Sequence, residues 1–106
     1  MPYGLIVRFT ARDATAAAAF DQLAAVALQG IKAEPGTLVY VSHVPVSEPT
    51  TRIFYELYED RDAFQRHEEQ PYVKLFLAER EQHLINTEVT FLNEVAGKRP
   101  ASSQER

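Results

Sequence analysis

The stretch "RIFYELYEDRDAFQRHEEQPY", Arg52 to Tyr72, changes its period halfway and decides how the rest of the chain is read. Up to Tyr58 it is rich in aromatic and branched residues and keeps the two-residue alternation of a strand. From Asp60 the spacing is helical: Asp60 can accept from the free amides of a first turn, and Ala63, Phe64 and His67 gather on one side. Pro71 suits the first position of a further helix, where its missing N–H has no partner to lose, and that helix is expected to run to about Leu84. The stretch sets Phe54, Tyr58, Phe64, His67 and Tyr72 close together, either as core or as the walls of a pocket.

Working outward, Tyr3 to Thr10 reads as a strand with Leu5, Val7 and Phe9 on one face and Ile6 on the other. Asp13 is a plausible N-cap for the alanine-rich helix that follows, whose buried stripe is Phe20, Leu23, Ala27 and Ile31. "EPG", Glu34 to Gly36, ends that helix. Thr37–Val44 and Thr51–Glu59 read as strands joined by the polar loop "PVSEPT", and a last strand spans Ile85 to Val95 with Ile85, Val89, Phe91 and Val95 on one face. The order is β-α-β-β-α-β, the ferredoxin-like split βαβ arrangement: an α+β fold with a four-stranded antiparallel sheet. One domain is expected over residues 1–97, followed by a polar, disordered tail over 98–106.

The strands are apolar on both faces, whereas helices on one side cover only one of them. A twin subunit is the simplest cover for the other, so a homodimer is expected, with Leu38, Tyr40, Ile53 and Tyr55 on the dimer side.

Composition removes several classes of function. The chain has 106 residues, 45% apolar and 25% charged, and a net charge of -4 with its eleven Lys and Arg residues scattered. No basic patch suits nucleic acid or an anionic membrane surface. No run approaches the ~18 apolar residues of a membrane span, no secretory leader is visible, and the absence of cysteine fits a cytoplasmic protein. There is no thiolate nucleophile, no serine in a glycine-flanked elbow, and no Gly-rich phosphate loop. The three histidines, His43, His67 and His83, show no His-x-x-x-His spacing, so no metal and no other cofactor is expected. The aromatic group remains. Phe54, Tyr58, Phe64 and Tyr72 are either core residues around a buried imidazole, or the walls of a flat cavity in which neutral His67 removes a proton.

"EPGTLVY" (Glu34–Tyr40) and "FYELYEDRDAFQRHEEQPY" (Phe54–Tyr72) resemble the antibiotic biosynthesis monooxygenase family, especially its small quinol-monooxygenase-like branch. Glu56, Tyr58, Asp60, Ala63, Phe64, His67 and Pro71 match the family pattern in order. The resemblance implies a dimeric α+β barrel, a pocket between sheet and helices, and oxygenation that often uses no metal, flavin or haem. Under the pocket reading of the residues His67 and Tyr58 are the expected catalytic residues, with Phe54, Phe64, Tyr72 and Val7 binding substrate, and the resemblance implies O2 and a small aromatic or quinol-like molecule as partners.

The chain also departs from that family. Phe54 and Tyr58 stand where polyketide oxygenases carry Asn and Trp; Val7 and Leu77 stand where the haem-degrading branch carries an Asn and a haem-ligating His. Tyr72 follows Pro71 where many relatives, including an isomerase of a small signalling sugar derivative, have a His. The resemblance therefore leaves open a cofactor-free monooxygenase of a quinol or aromatic polyketide-like compound, a non-catalytic ligand-binding dimer, and an isomerase.

Overall fold

The computed structural model describes residues 1–99, so residues 100–106 of the expected tail lie outside the described residues. The elements follow the expected order: β1 (Tyr3–Ala11), α1 (Ala14–Ile31), β2 (Thr37–His43), β3 (Thr51–Tyr58), α2 (Arg61–Glu68), α3 (Pro71–Glu79), a 3₁₀ turn (Arg80–His83) and β4 (Leu84–Asn93). The sheet order is β2-β3-β1-β4 and every neighbouring pair is antiparallel. Each helical crossover thus joins strands that have one other strand between them, which is the ferredoxin-like split βαβ topology.

Both capping aspartates act as the sequence implies. The Asp13 carboxylate accepts from the Ala16 amide at 2.8 Å, and Asp60 accepts from the Ala63 amide at 2.8 Å. Pro71 opens α3 without a side-chain cap at Gln70. Between helices and sheet the core gathers Leu5, Val7 and Phe9 from β1, Phe54 and Tyr58 from β3, Phe20, Ala27 and Ile31 from α1, and Val73 and Phe76 from α3. The Phe9 ring lies 4.9 Å from that of Phe20 and 5.1 Å from that of Phe54, the second pair edge-on. Such pairs add about 0.5–1.5 kcal/mol each beyond area burial.

Several details differ from the sequence reading. By length and composition alone α1 could cross a bilayer, because its alanines raise its hydropathy; its stripe of Phe20, Ala27 and Ile31 is laid on the sheet instead. The expected single helix from Pro71 to Leu84 stops at Glu79 and tightens into the 3₁₀ turn. The Arg12 amide and Nε donate to the His83 and Gln82 carbonyls at 3.1 and 3.0 Å, turning those carbonyls towards β1. β4 ends at Asn93, so Val95 lies beyond it, and a register shift opposite Thr10 and Ala11 separates Ile85 from the face of Val89 and Phe91.

The expected dimer side needs a larger correction. Tyr40 pairs with Glu56 and Val41 with Tyr55, so Tyr40 shares the helix-covered face. Leu38, beside the β2 irregularity, borders a recess with Leu28 and Ile31 of α1 and belongs to the helix side as well. Alternation within each strand is legible in sequence, but the phase between two strands depends on that irregularity. The uncovered face carries Ile6, Val39, Val41, Ile53 and Tyr55.

α2 can pack on the turn before β2 only because residue 36 lacks a side chain. A Cβ built on Gly36 would meet the Ala63 Cβ at 2.7 Å. Gly36→Ala is therefore expected to lose about 1–3 kcal/mol through overpacking, read from the midpoint of urea unfolding. Adding Ala63→Gly should recover part of that loss, and a second change that only adds to the first would contradict the contact.

Candidate functional site

A chamber of about 140 Å³ lies between the sheet and the helices α2 and α3. Its apolar walls come from Leu5 and Val7 of β1, Phe64 of α2, Val73, Phe76 and Leu77 of α3, and Val89 and Phe91 of β4. Glu56, His67, Glu68, Tyr40 and Arg80 also face it. A larger groove of about 300 Å³ runs between α1 and β2, but its charged groups satisfy each other: Arg52 donates to both Asp21 oxygens, at 2.8 and 2.9 Å. The smaller chamber holds the uncommitted chemistry.

Glu56 is only 6% exposed. The two-residue period of β3 puts it on the face of Phe54 and Tyr58, inside the core. Burial pushes its pKa above the usual carboxylate range, while the Tyr58 hydrogen bond, His67 and Arg80 act in the opposite direction. The Tyr58 hydroxyl donates to Glu56 Oε1 at 2.6 Å, and burial together with that carboxylate pushes the phenol's own pKa up.

Arg80 follows the last residue of α3, and its guanidinium carbon lies 4.8 Å from the Phe9 ring centroid and 5.2 Å from that of Phe76. Those ring faces attract the cation. Burial nevertheless pulls its pKa down, and its buried Nε has no hydrogen-bond partner among the described residues. A buried donor left unmet costs about 1–3 kcal/mol. Tyr40 and Glu68 complete the polar set; burial first and Glu56 second push the Tyr40 pKa up, keeping the phenol protonated.

His67 is held from outside the chamber. Its Nδ1 lies 2.9 Å from Glu34 Oε1, and Glu34 also accepts from the Thr37 hydroxyl at 2.6 Å and from the Tyr72 hydroxyl. A carboxylate only accepts, so the bond places a proton on Nδ1; in the tautomer that makes this bond with a single proton, Nε2 is an acceptor. The ring is 5% exposed, and its centroid lies 5.1 Å from that of Tyr58 and 5.7 Å from that of Tyr40, tilted by 50° and 46°.

The site residues expected from the sequence separate into two groups. His67, Phe64 and Val7 line the chamber. Tyr58 and Phe54, 0% and 1% exposed, lie behind its wall; Tyr58 acts on Glu56, and Phe54 borders the larger groove. Tyr72 stands on the far side of His67, with its ring over Gly30 and its hydroxyl on Glu34. Burial and Glu34 push the Tyr72 pKa up to about 12, so it remains a donor. Sequence reasoning missed Glu56, Tyr40 and Arg80 as chamber residues, and Glu34 as the residue that holds His67. A carboxylate in phase with Phe54 and Tyr58 was the available signal for Glu56; Arg80, four residues after Phe76, was the one for the cation. Among the described residues no group of three or more His, Asp or Glu side chains converges in a way that could hold a metal ion.

Fold and site thus define a ferredoxin-like α+β domain with a polar-lined chamber between sheet and helices. Residues 2–79 match the family described as "Antibiotic biosynthesis monooxygenase", and the chain belongs to that family. No curated protein matches its sequence. Solved structures share the fold. Rv0793 from Mycobacterium tuberculosis superposes with a TM-score of 0.85 at 23% identity, covering 93% of this chain and 100% of that one. PA3566 from Pseudomonas aeruginosa gives 0.81 at 25% identity, covering 90% and 95%. SnoaB, a cofactor-independent oxygenase from Streptomyces nogalater, studied as a point mutant, gives 0.79 at 18% identity, covering 91% and 95%.

The buried Glu56 carries a pH signature. Its folded pKa lies above the unfolded value, so its contribution to stability is complete below the unfolded pKa of about 4.3 and is lost as pH rises through the folded value. Glu56→Gln keeps an acceptor for Tyr58 and removes the charge. The variant's melting temperature relative to the parent should therefore rise between pH 4 and pH 8; a difference that stays flat across that range would contradict the raised pKa.

Proposed function

We propose that the protein is a cofactor-independent monooxygenase that oxidises a quinol with O2. The observation carrying this reading is the convergence of His67, Glu56, Tyr40 and Arg80 on one apolar-walled chamber. Family membership supports the reaction class. His67 Nε2 takes a phenolic proton, and Arg80 holds the resulting oxyanion among the apolar walls. The anion passes one electron to O2, and the two radicals recombine to form a ring C–O bond. Proton return from His67 gives a hydroperoxide. Loss of the ring C–H proton with O–O cleavage then releases water and leaves a hydroxyquinone. A hydroquinone plus O2 thus becomes a hydroxyquinone plus water, with every electron supplied by the substrate.

A second reading is a ligand-binding module without turnover. Phe54 and Tyr58, which occupy the positions where the resemblance sets the Asn and Trp of polyketide oxygenases, are sealed behind the chamber wall. Oxygen uptake with a panel of quinols separates the two readings. Turnover should fall by ~10²–10⁴-fold in His67→Phe, which keeps ring volume and removes the base. Parent-like uptake by that variant would show that His67 is not the base, and no uptake by the parent would favour the binding module.

The assembly belongs to the same proposal. The uncovered sheet face of Ile6, Val39, Val41, Ile53 and Tyr55 is taken to pack on that of a second copy. Sedimentation should give a dimer at micromolar concentration, and Ile53→Glu a monomer. A monomeric parent would defeat this part without touching the chemistry.

A further inference from the structure

β4 leaves two apolar side chains uncovered on the side of the sheet where they should be buried. Phe91 pairs with Leu5 and Val89 with Val7, so both face the helices, yet Phe91 is 54% exposed and Val89 46%, against 5% and 4% for their partners. The helical layer stops short of this edge strand, and the chamber reaches the surface beside it. Around that mouth Tyr3, Phe64 and Phe91 form a ring cluster. Tyr3 lies 5.6 Å from Phe64 and 5.8 Å from Phe91, and Phe64 lies 5.9 Å from Phe91.

The chamber itself is small. At about 140 Å³ it matches the ~150 Å³ cavity that holds a single benzene ring and falls below the ~300–1,000 Å³ of sites for larger ligands. A ligand with more than one ring must therefore project through the mouth, and the surface it meets there is aromatic. Phe64 and Phe91 line both the chamber and the lip, so the two surfaces are continuous.

We propose that Phe91, with Phe64 and Tyr3, is an aromatic lip that binds the apolar extension of a ligand whose oxygen-bearing ring occupies the chamber. Phe91 is then the residue that determines selectivity for that extension. This rests on the chamber being the ligand site, as in the proposed function, and does not require that the ligand be oxidised.

Phenol and 2-naphthol, both stable in air and differing by one ring, test it by calorimetry. The parent should bind 2-naphthol more tightly than phenol. Phe91→Ala should weaken 2-naphthol by about tenfold while phenol changes less than about twofold. Phe91→Leu, which keeps an apolar side chain at this exposed position, guards against misfolding and should fall between parent and Phe91→Ala. Equal losses for both ligands, or none for either, would overturn the lip. So would a loss of self-association in Phe91→Ala with both affinities unchanged, which would assign the surface to a second copy. Binding of neither ligand by the parent would overturn the chamber and the lip together. Normal naphthol selectivity with no quinol oxidation would overturn the oxygenase reading alone.

Discussion

The Glu34 carboxylate holds together the parts from which the chamber is made. It sits in the turn that ends α1, 13% exposed at its side chain, and accepts from Thr37 at the start of β2, His67 of α2 and Tyr72 of α3. Hydrogen bonds to a charged acceptor are about twice as strong as neutral ones. Removing the acceptor would leave the Thr37, His67 and Tyr72 donors in a partly buried place without it. The same carboxylate decides which nitrogen of His67 carries the proton. One group thereby fixes the position of two helices and the chemical state of the residue they present.

Inside that frame the chamber is electrostatically expensive. Burial resists the charge on Glu56 and on Arg80, pushing one pKa up and the other down. Two such groups at one cavity, with an unmet guanidinium donor, are poor design for stability alone. Perturbed groups of this kind mark functional sites more often than chance allows. The Phe9 and Phe76 faces on which Arg80 rests give the cation a platform without using its hydrogen bonds.

The fold was legible because it rests on local signals. Asp13 and Asp60 cap, Pro71 starts, the glycine of the "EPG" turn permits close approach, and the change of period at Tyr58 separates strand from helix. The site was less legible because it depends on relations between elements. The phase of β2 against β3, shifted near Val39, moved Tyr40 and Leu38 from the expected dimer side to the helix side. Tyr58 and Tyr72 are aromatic and close in sequence to His67, as expected, yet one is sealed beneath the chamber and the other supports Glu34 from outside. Proximity along the chain located the neighbourhood; register and side-chain direction determined which members face the ligand.

The most direct test of this account is the tautomer of His67, read from long-range proton–nitrogen correlations of uniformly labelled protein at neutral pH. Glu34 as an acceptor requires a proton on Nδ1, the base proposed for the chamber requires Nε2 without one, and addition of phenol should perturb Nε2 first. In Glu34→Gln the preference should weaken or average. A proton on Nε2 in the parent, with Nδ1 bare, would contradict the Glu34–His67 arrangement and remove the base from the chamber.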